Sequence, residues 1–150
     1  MKTPNRKIKN ATPTLYNGIQ FKSKLEVSCY KTLIEHGLMP LYEQRTFTIW
    51  QGFRPSVPFY NRDRKTKDIC LDNHKLRDIT YTPDFTLTHN GTLVILEIKG
   101  AFNDVFPIKR KLFRKHLETV GNAVYFEIHT KRELLNAIGI IKNLNNDNKP

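Results

Sequence analysis

The chain is poor in cysteine, with two residues, Cys29 and Cys70, among 150. Two thiols cannot staple a disulfide framework. Cys29 falls on the apolar side of a predicted helix and reads as a small core residue. A zinc site on Cys70, Asp72 and His74 would want a second ligand pair that the spacing does not supply. Long apolar runs are also missing: no stretch reaches membrane-spanning length, and no signal-peptide apolar core follows the N-terminus. These absences point to a reducing cytoplasm and to no membrane partner. Acids are scarce as well. Fourteen Asp and Glu stand against 25 Lys and Arg, a net charge of +11 with a pI near 9.8. That excess favours a polyanionic partner, nucleic acid before others.

What is present is enough to fold. The hydrophobic fraction is 39%, with nine Phe, six Tyr and one Trp, so one domain with a real core is expected. Residues 1–20 carry Lys2, Arg6, Lys7 and Lys9 with Pro4 and Pro13 and no acid, and read as a flexible basic arm. Residues 21–142 read as the folded domain, and the polar run 143–150 as a frayed tail. The spacing of Leu25, Cys29, Leu33 and of Tyr30, Ile34 predicts a helix over 24–36, with Ser23 as N-cap, Gly37 at its end and Pro40 beyond. Residues 42–50 read as a strand. Residues 51–66 read as irregular, within a basic insert spanning about 51–79. Lys67–Leu71 and Leu76–Phe85 flank Asp72-Asn73-His74-Lys75 and suggest a hairpin.

Asn90-Gly91 is the clearer hairpin signal, joining the strand at Phe85–Leu87 to the run Thr92–Lys99. Leu93-Val94-Ile95-Leu96 is apolar on both faces, which predicts a central, covered strand. A helix is expected from Pro107 to about Thr119 with Gly121 past its end, then a strand over Ala123–His129. Thr130 and Glu133 form a capping-box pattern ahead of a last helix bearing Leu134, Leu135, Ile138 and Ile141. The predicted order is α-β-β-β-α-β-α, a mixed β-sheet flanked by helices.

The chemistry concentrates in Thr82-Pro83-Asp84 and, thirteen positions after Asp84, Glu97-Ile98-Lys99. Both carboxylates border apolar strands. Glu97 and Lys99 lie two apart on a strand and so share a side. Two carboxylates and a lysine, with a hard divalent cation, are what metal-assisted phosphodiester hydrolysis requires. Each residue also has a plain alternative. Glu26, three after Ser23, could serve only as a capping-box partner. Asp84 could be a turn residue after Pro83. Glu97 could be solvated, or Lys99 could pair with it.

Taken together, Ser23-Lys24-Leu25-Glu26, Tyr81-Thr82-Pro83-Asp84-Phe85 and Glu97-Ile98-Lys99-Gly100 resemble the PD-(D/E)XK nuclease superfamily. Within it the pattern is most similar to the phage endonuclease I type of Holliday-junction resolvase, over roughly residues 21 to 128. The resemblance implies a restriction-endonuclease-like α/β fold and Mg²⁺ or Mn²⁺ as cofactor. It implies Asp84, Glu97, Glu26 and the backbone carbonyl of Ile98 as metal ligands, with Lys99 acting on the attacking water or the scissile phosphate. It further implies DNA, branched or four-way, as substrate, a 5′-phosphate product, a homodimer, and a bacterial or phage-infected cytoplasm. A nicking or end-cleaving subunit of a recombination, transposition or packaging complex is the alternative. A non-catalytic DNA-binding module is a further one. The insert at 51–79 departs from the shorter link expected in the resolvases.

Weaker candidates surround this set. Lys109, Arg110, Lys111, Arg114 and Lys115 line a helix just after the motif and would contact phosphates, setting position rather than sequence. Arg62, Arg64, Lys65 and Lys67 form either a second contact loop or a disordered insert. Gln44 is a candidate to extend the metal site, or an ordinary exposed glutamine.

Overall fold

The computed structural model describes residues 11–100 and 105–144. Its centre is β9 (Thr92–Ile98), in which every residue is buried. Even positions Val94, Leu96 and Ile98 enter one core, shared with helices α1 (Lys24–Glu35) and α3 (Lys131–Lys142). Odd positions Leu93 and Ile95 enter a second core with α2 (Phe106–Val120). The apolar run at 93–96 is therefore what a strand covered on both faces requires. Val94, Ile95 and Leu96 are fully enclosed, and each such side chain contributes about 1.5–3 kcal/mol.

The four-stranded sheet has the order β10-β9-β8-β3. The strand β8 (Phe85–His89) pairs antiparallel with β9 across the Asn90-Gly91 turn, where both residues have positive φ, 48° and 76°. That is the type I′ geometry Asn-Gly favours. The strand β10 (Ala123–Ile128) lies parallel to β9, and α2 supplies the crossover that a parallel pair needs. The fold is thus mixed α/β, with a mixed sheet flanked by three helices, and the core order from α1 onward is the predicted one. Among the described residues no helix is long and apolar enough to cross a membrane.

Four expectations need correction. The basic arm lies outside the described residues at 1–10, but β1 (Thr14–Tyr16) and β2 (Ile19–Phe21) form a hairpin around Asn17-Gly18, and Phe21 is fully buried against Tyr30 and Tyr42. The expected strand 42–50 is two strands in different sheets, β3 (Leu41–Tyr42) and β4 (Phe47–Trp50), separated at Glu43 by a positive φ of 46°. The expected 67–85 hairpin does not form. Instead β6 (Ile69–Leu71) pairs with β5 (Tyr60–Arg62), and β7 (Ile79–Tyr81) pairs with β4. Long-range pairing of β4 with β7 buries Phe47, Ile49 and Tyr81 in the α2 core, which no local pattern announces. Finally, Leu144 packs on the first core and accepts a hydrogen bond from Asn90, so the tail begins later than Asn143. Residues 145–150 of that tail lie outside the described residues.

Candidate active site

Asp84 immediately precedes β8, whose register sets Phe85 opposite Leu96. Continuing that register brings Asp84 to the end of β9. Its Oδ2 accepts the Ile98 backbone N–H at 2.6 Å. The spacing of thirteen residues is therefore the hairpin's own length read at its open end. Ile98 enters the site here through its N–H.

Glu97 leans toward the α2 side of the sheet. Its Oε1 meets Lys99 Nζ at 2.6 Å, and its Oε2 accepts from the Tyr81 hydroxyl. Lys99 also lies 3.6 Å above the centre of the Phe106 ring, the first residue of α2. The two-residue spacing thus places acid and lysine on one side, as strand geometry demands. Tyr81 is fixed by packing: its ring stands 4.5 Å from that of Phe113, which is fully buried and also meets Phe47 and Tyr125. From Tyr81 the polar contacts run on to the Tyr125 hydroxyl at 3.3 Å, to Glu127 at 3.5 Å and to Arg110 at 3.1 Å. Burial keeps both phenols protonated, so Tyr81 remains a donor to Glu97. If Glu97 ligates a divalent cation, Tyr81→Phe should reduce Mn²⁺ affinity by about 10- to 100-fold, the usual effect of losing a group that orients a ligand. Calorimetric titration of the folded variant checks this, and unchanged affinity would make Tyr81 a packing residue only.

Glu26 arrives from the opposite, α1 side. Ser23 Oγ accepts from the Glu26 N–H at 3.2 Å, so half of the capping box exists. The carboxylate does not complete it. Oε2 accepts instead from the Tyr42 hydroxyl at 2.6 Å and from the Lys22 N–H at 3.0 Å. The same motif in α3 closes fully between Thr130 and Glu133. Glu26 is therefore turned from a capping role toward the sheet edge while remaining buried.

The charges of Glu97, from β9, and of Glu26, from α1, are both felt at Asp84 in the bend before β8. Burial first, then the charge of Glu97 and also that of Glu26, push the Asp84 carboxyl up to about 8; the Ile98 N–H and Lys99 oppose the rise. Among the described residues no buried side-chain nitrogen or oxygen lacks a hydrogen-bond partner. Among them, too, no three Asp, Glu, His or Cys side chains stand close enough to form a ready cation cage. Magnesium does not need one, since it binds through one or two carboxylates and keeps several waters or substrate oxygens. The donors present, hard carboxylate oxygens from Asp84 and Glu97, fit such an ion, and Glu26 is placed to act outside that first pair.

The remaining candidates divide. Arg110 is tied to Glu127, and Lys109 donates to the Thr80 carbonyl at 3.2 Å. Lys111, Arg114 and Lys115 are exposed and line a groove of about 850 Å³ that reaches Tyr125. Arg62, Arg64, Lys65 and Lys67 are exposed on the β5–β6 ribbon. Gln44 does not join the site: it is exposed and lines surface grooves with Met39 and Leu41 that contain none of the three acids. The neighbouring Glu43 does approach. Its N–H donates to the Asp84 carbonyl at 2.9 Å and its carboxylate pairs with Lys22. Sequence reasoning missed Glu43, Lys22, Tyr42, Tyr81 and Tyr125. Tyr81, three before Asp84, was visible within the motif string, but its role depends on the β4–β7 pairing.

The chain is a mixed α/β protein with an acid–lysine cluster at the open end of its central hairpin. It belongs to the family described as Protein of unknown function (DUF1064), whose profile matches residues 6–131. No curated protein and no solved structure matches it.

Proposed function

We propose that the protein is a Mg²⁺- or Mn²⁺-dependent DNA endonuclease of the restriction-like type, selective for branched or four-way DNA and working as a homodimer. The observation that carries this reading is the convergence of Asp84, Glu97 and Lys99 at one strand end, with Glu26 closing in from α1. Concentrating buried acids in a chain of net charge +11 has a plain use if a cation and a phosphate meet there. A cation held by Asp84 and Glu97 would neutralise charge at the scissile phosphate and ease water ionisation. Lys99, steadied over Phe106, directs a hydrogen bond to the attacking water or a phosphoryl oxygen, favouring the charge of the transition state. Tyr81 and Tyr42 hold Glu97 and Glu26 in place.

The test is cleavage of supercoiled, linear and four-way-junction DNA, with Mg²⁺ and with excess chelator. Cutting that persists in chelator would sink the mechanism. Binding without any cutting would favour a silent DNA-binding module, and equal cutting of duplex and junction would favour a nicking or end-cleaving subunit.

The basic face of α2 offers a separate check. Because Lys109 and Arg110 are already engaged, the residues to neutralise are Lys111, Arg114 and Lys115. Their triple replacement by Ser should weaken binding to every DNA and reduce the slope of log affinity against log salt by roughly one unit per lost contact. Saturating DNA should restore most of the cutting rate. An unchanged slope would make this helix a solvated face.

A further inference from the structure

The segment between β4 and β7 is a long two-stranded ribbon that covers no part of the protein's core. Its root is rigid. Gly52 donates to Asp78 Oδ1 at 2.7 Å, and a Cβ at Gly52 would fall 2.2 Å from the Leu76 carbonyl oxygen, so only glycine permits the two arms to meet there. Pairing then continues outward, from Leu76 to Phe53 at 2.8 Å, from Asp72 to Phe59 at 2.8 Å, through β5–β6, to Asp63 and Asp68 at 2.8 Å. The arm carrying Pro55 and Pro58 bends at Val57 and takes six residue steps from Phe53 to Phe59 against four from Asp72 to Leu76 on the other arm. The shorter arm, from Lys67 to Leu76, can span at most about 32 Å, comparable with the roughly 34 Å of one turn of duplex DNA.

One face of the ribbon pairs Tyr60 with Leu71 and Arg62 with Ile69. Tyr60, Leu71 and Ile69 are 62%, 53% and 70% exposed. An isolated two-stranded hairpin with an unburied apolar face is marginal in water, so it is shaped for an occupant. Residues 53–77 hold seven Lys and Arg against three Asp. Two of those acids are internal to turns: Asp63 accepts from the Lys65 and Thr66 N–H groups, and Asp72 from His74. The basic side chains at the tip, Arg62, Arg64, Lys65 and Lys67, stand exposed, and Lys67 Nζ donates to the Arg64 backbone carbonyl.

We propose that this ribbon is a DNA arm that enters a groove of the duplex flanking the cut site. Tyr60, Ile69 and Leu71 face the base edges and sugars, and Arg62, Arg64, Lys65 and Lys67 reach the phosphates. A two-stranded ribbon fits the major groove, and apolar side chains beside basic ones are what groove-entering proteins present. A second copy of this chain is the less suitable occupant, because facing ribbons would bring two cationic tips together. The inference rests on the DNA reading of the site but is scored by binding alone.

The experiment compares three folded proteins: the parent, an Arg62→Ser/Arg64→Ser/Lys65→Ser/Lys67→Ser variant, and a Tyr60→Ser/Ile69→Ser/Leu71→Ser variant. Affinity for a linear duplex is measured over a salt series, with hydroxyl-radical footprints and sedimentation. All seven positions are exposed, so thermal melting should hardly change. The charge variant should lose about three units of salt slope and on the order of 10²-fold in affinity at about 0.15 M salt, with a shortened footprint. The apolar variant should weaken binding with its slope unchanged. Unaltered affinity and slope in the charge variant overturn the proposal. So does an apolar variant that turns a dimer into a monomer with DNA binding intact, which would assign the face to a second copy. A parent that binds no DNA overturns this proposal and the endonuclease reading together. A parent that binds but does not cut overturns only the latter, and the slope comparison still decides the arm.

Discussion

Lys99→Met should lower DNA cleavage by about 10³-fold while leaving DNA affinity within a few fold of the parent. The lysine is largely withdrawn from solvent; its ammonium is 2.6 Å from Glu97 and 3.6 Å from the Phe106 ring centre, and its side chain is only 14% exposed. On the proposed mechanism its charge would be used where the phosphate charge grows, not where the duplex is first met. Loss of a preorganised donor at such a point costs on the order of 10²–10³ in rate, and removing a full charge costs more. Methionine keeps the packing against Phe106 and leaves only the ammonium missing. Lys99→Arg keeps the charge but spreads it over a planar fork that cannot occupy the same compact position, so partial rescue at most is expected. Single-turnover rates at saturating DNA are the measurement. A rate within a few fold of the parent would show that Lys99 serves only to pair Glu97.

Asp84→Asn should abolish cutting, by roughly 10³-fold or more, and yet stabilise the metal-free protein at alkaline pH. The asparagine carbonyl oxygen can still accept the Ile98 N–H, so the strand end keeps its geometry. The charge that burial, Glu97 and Glu26 oppose is gone. In the parent, the folded-state value for Asp84 is raised to about 8 from an ordinary 3.8. A raised value means that the folded state holds the proton over that interval while the unfolded chain has lost it. Stability is then full below about pH 4, falls progressively as pH rises toward 8, and levels off above it. The cumulative loss is on the order of a few kcal/mol, equivalent to several degrees in Tm for a chain of this size. The variant should show a flatter profile over the same window. Added Mg²⁺ should recover the parent's Tm near pH 8, by about 2.7 kcal/mol at a hundredfold excess over Kd, and should do little for the variant. Melting curves in chelator from pH 4 to 9 test the first part, and Mg²⁺ titration the second. A parent whose Tm is flat across that window would mean that Asp84 is not held protonated in the fold, and a variant that gains as much from Mg²⁺ would remove Asp84 from the cation site.

Opposing effects of one substitution on chemistry and stability separate a binding acid from a structural one. A turn aspartate replaced by asparagine would lose little in rate and gain nothing at pH 8. A solvated Glu97 would not be held by a buried tyrosine and a lysine at once.

The sequence by itself determined the elements whose signals are local. Asn90-Gly91 permits the two positive φ values of a tight hairpin. The unbroken apolar run 93–96 can only be covered on both faces. Thr130 and Glu133 close a full capping box. From these the register of β8 on β9 follows, and with it the meeting of Asp84 with the Ile98 N–H and the common side of Glu97 and Lys99. Only the tertiary structure decided the rest. Pairing of β4 with β7 joins residues about thirty positions apart, and the period-two pattern on either strand does not name its partner. That pairing alone brings Tyr81 to Glu97, and it alone projects the intervening residues as a ribbon rather than a hairpin at 67–85. The Glu26 carboxylate had two satisfactory local fates, and the Tyr42 hydroxyl, sixteen residues away, settled it by offering a donor inside the fold. Gln44 and Glu43 are equivalent as polar neighbours in the chain. A positive φ at Glu43 turns it to Asp84 and Lys22, and leaves Gln44 in solvent. Local spacing fixes what adjacent strands and turns must do, whereas the choice among distant donors is made by whichever packing buries both cores at once.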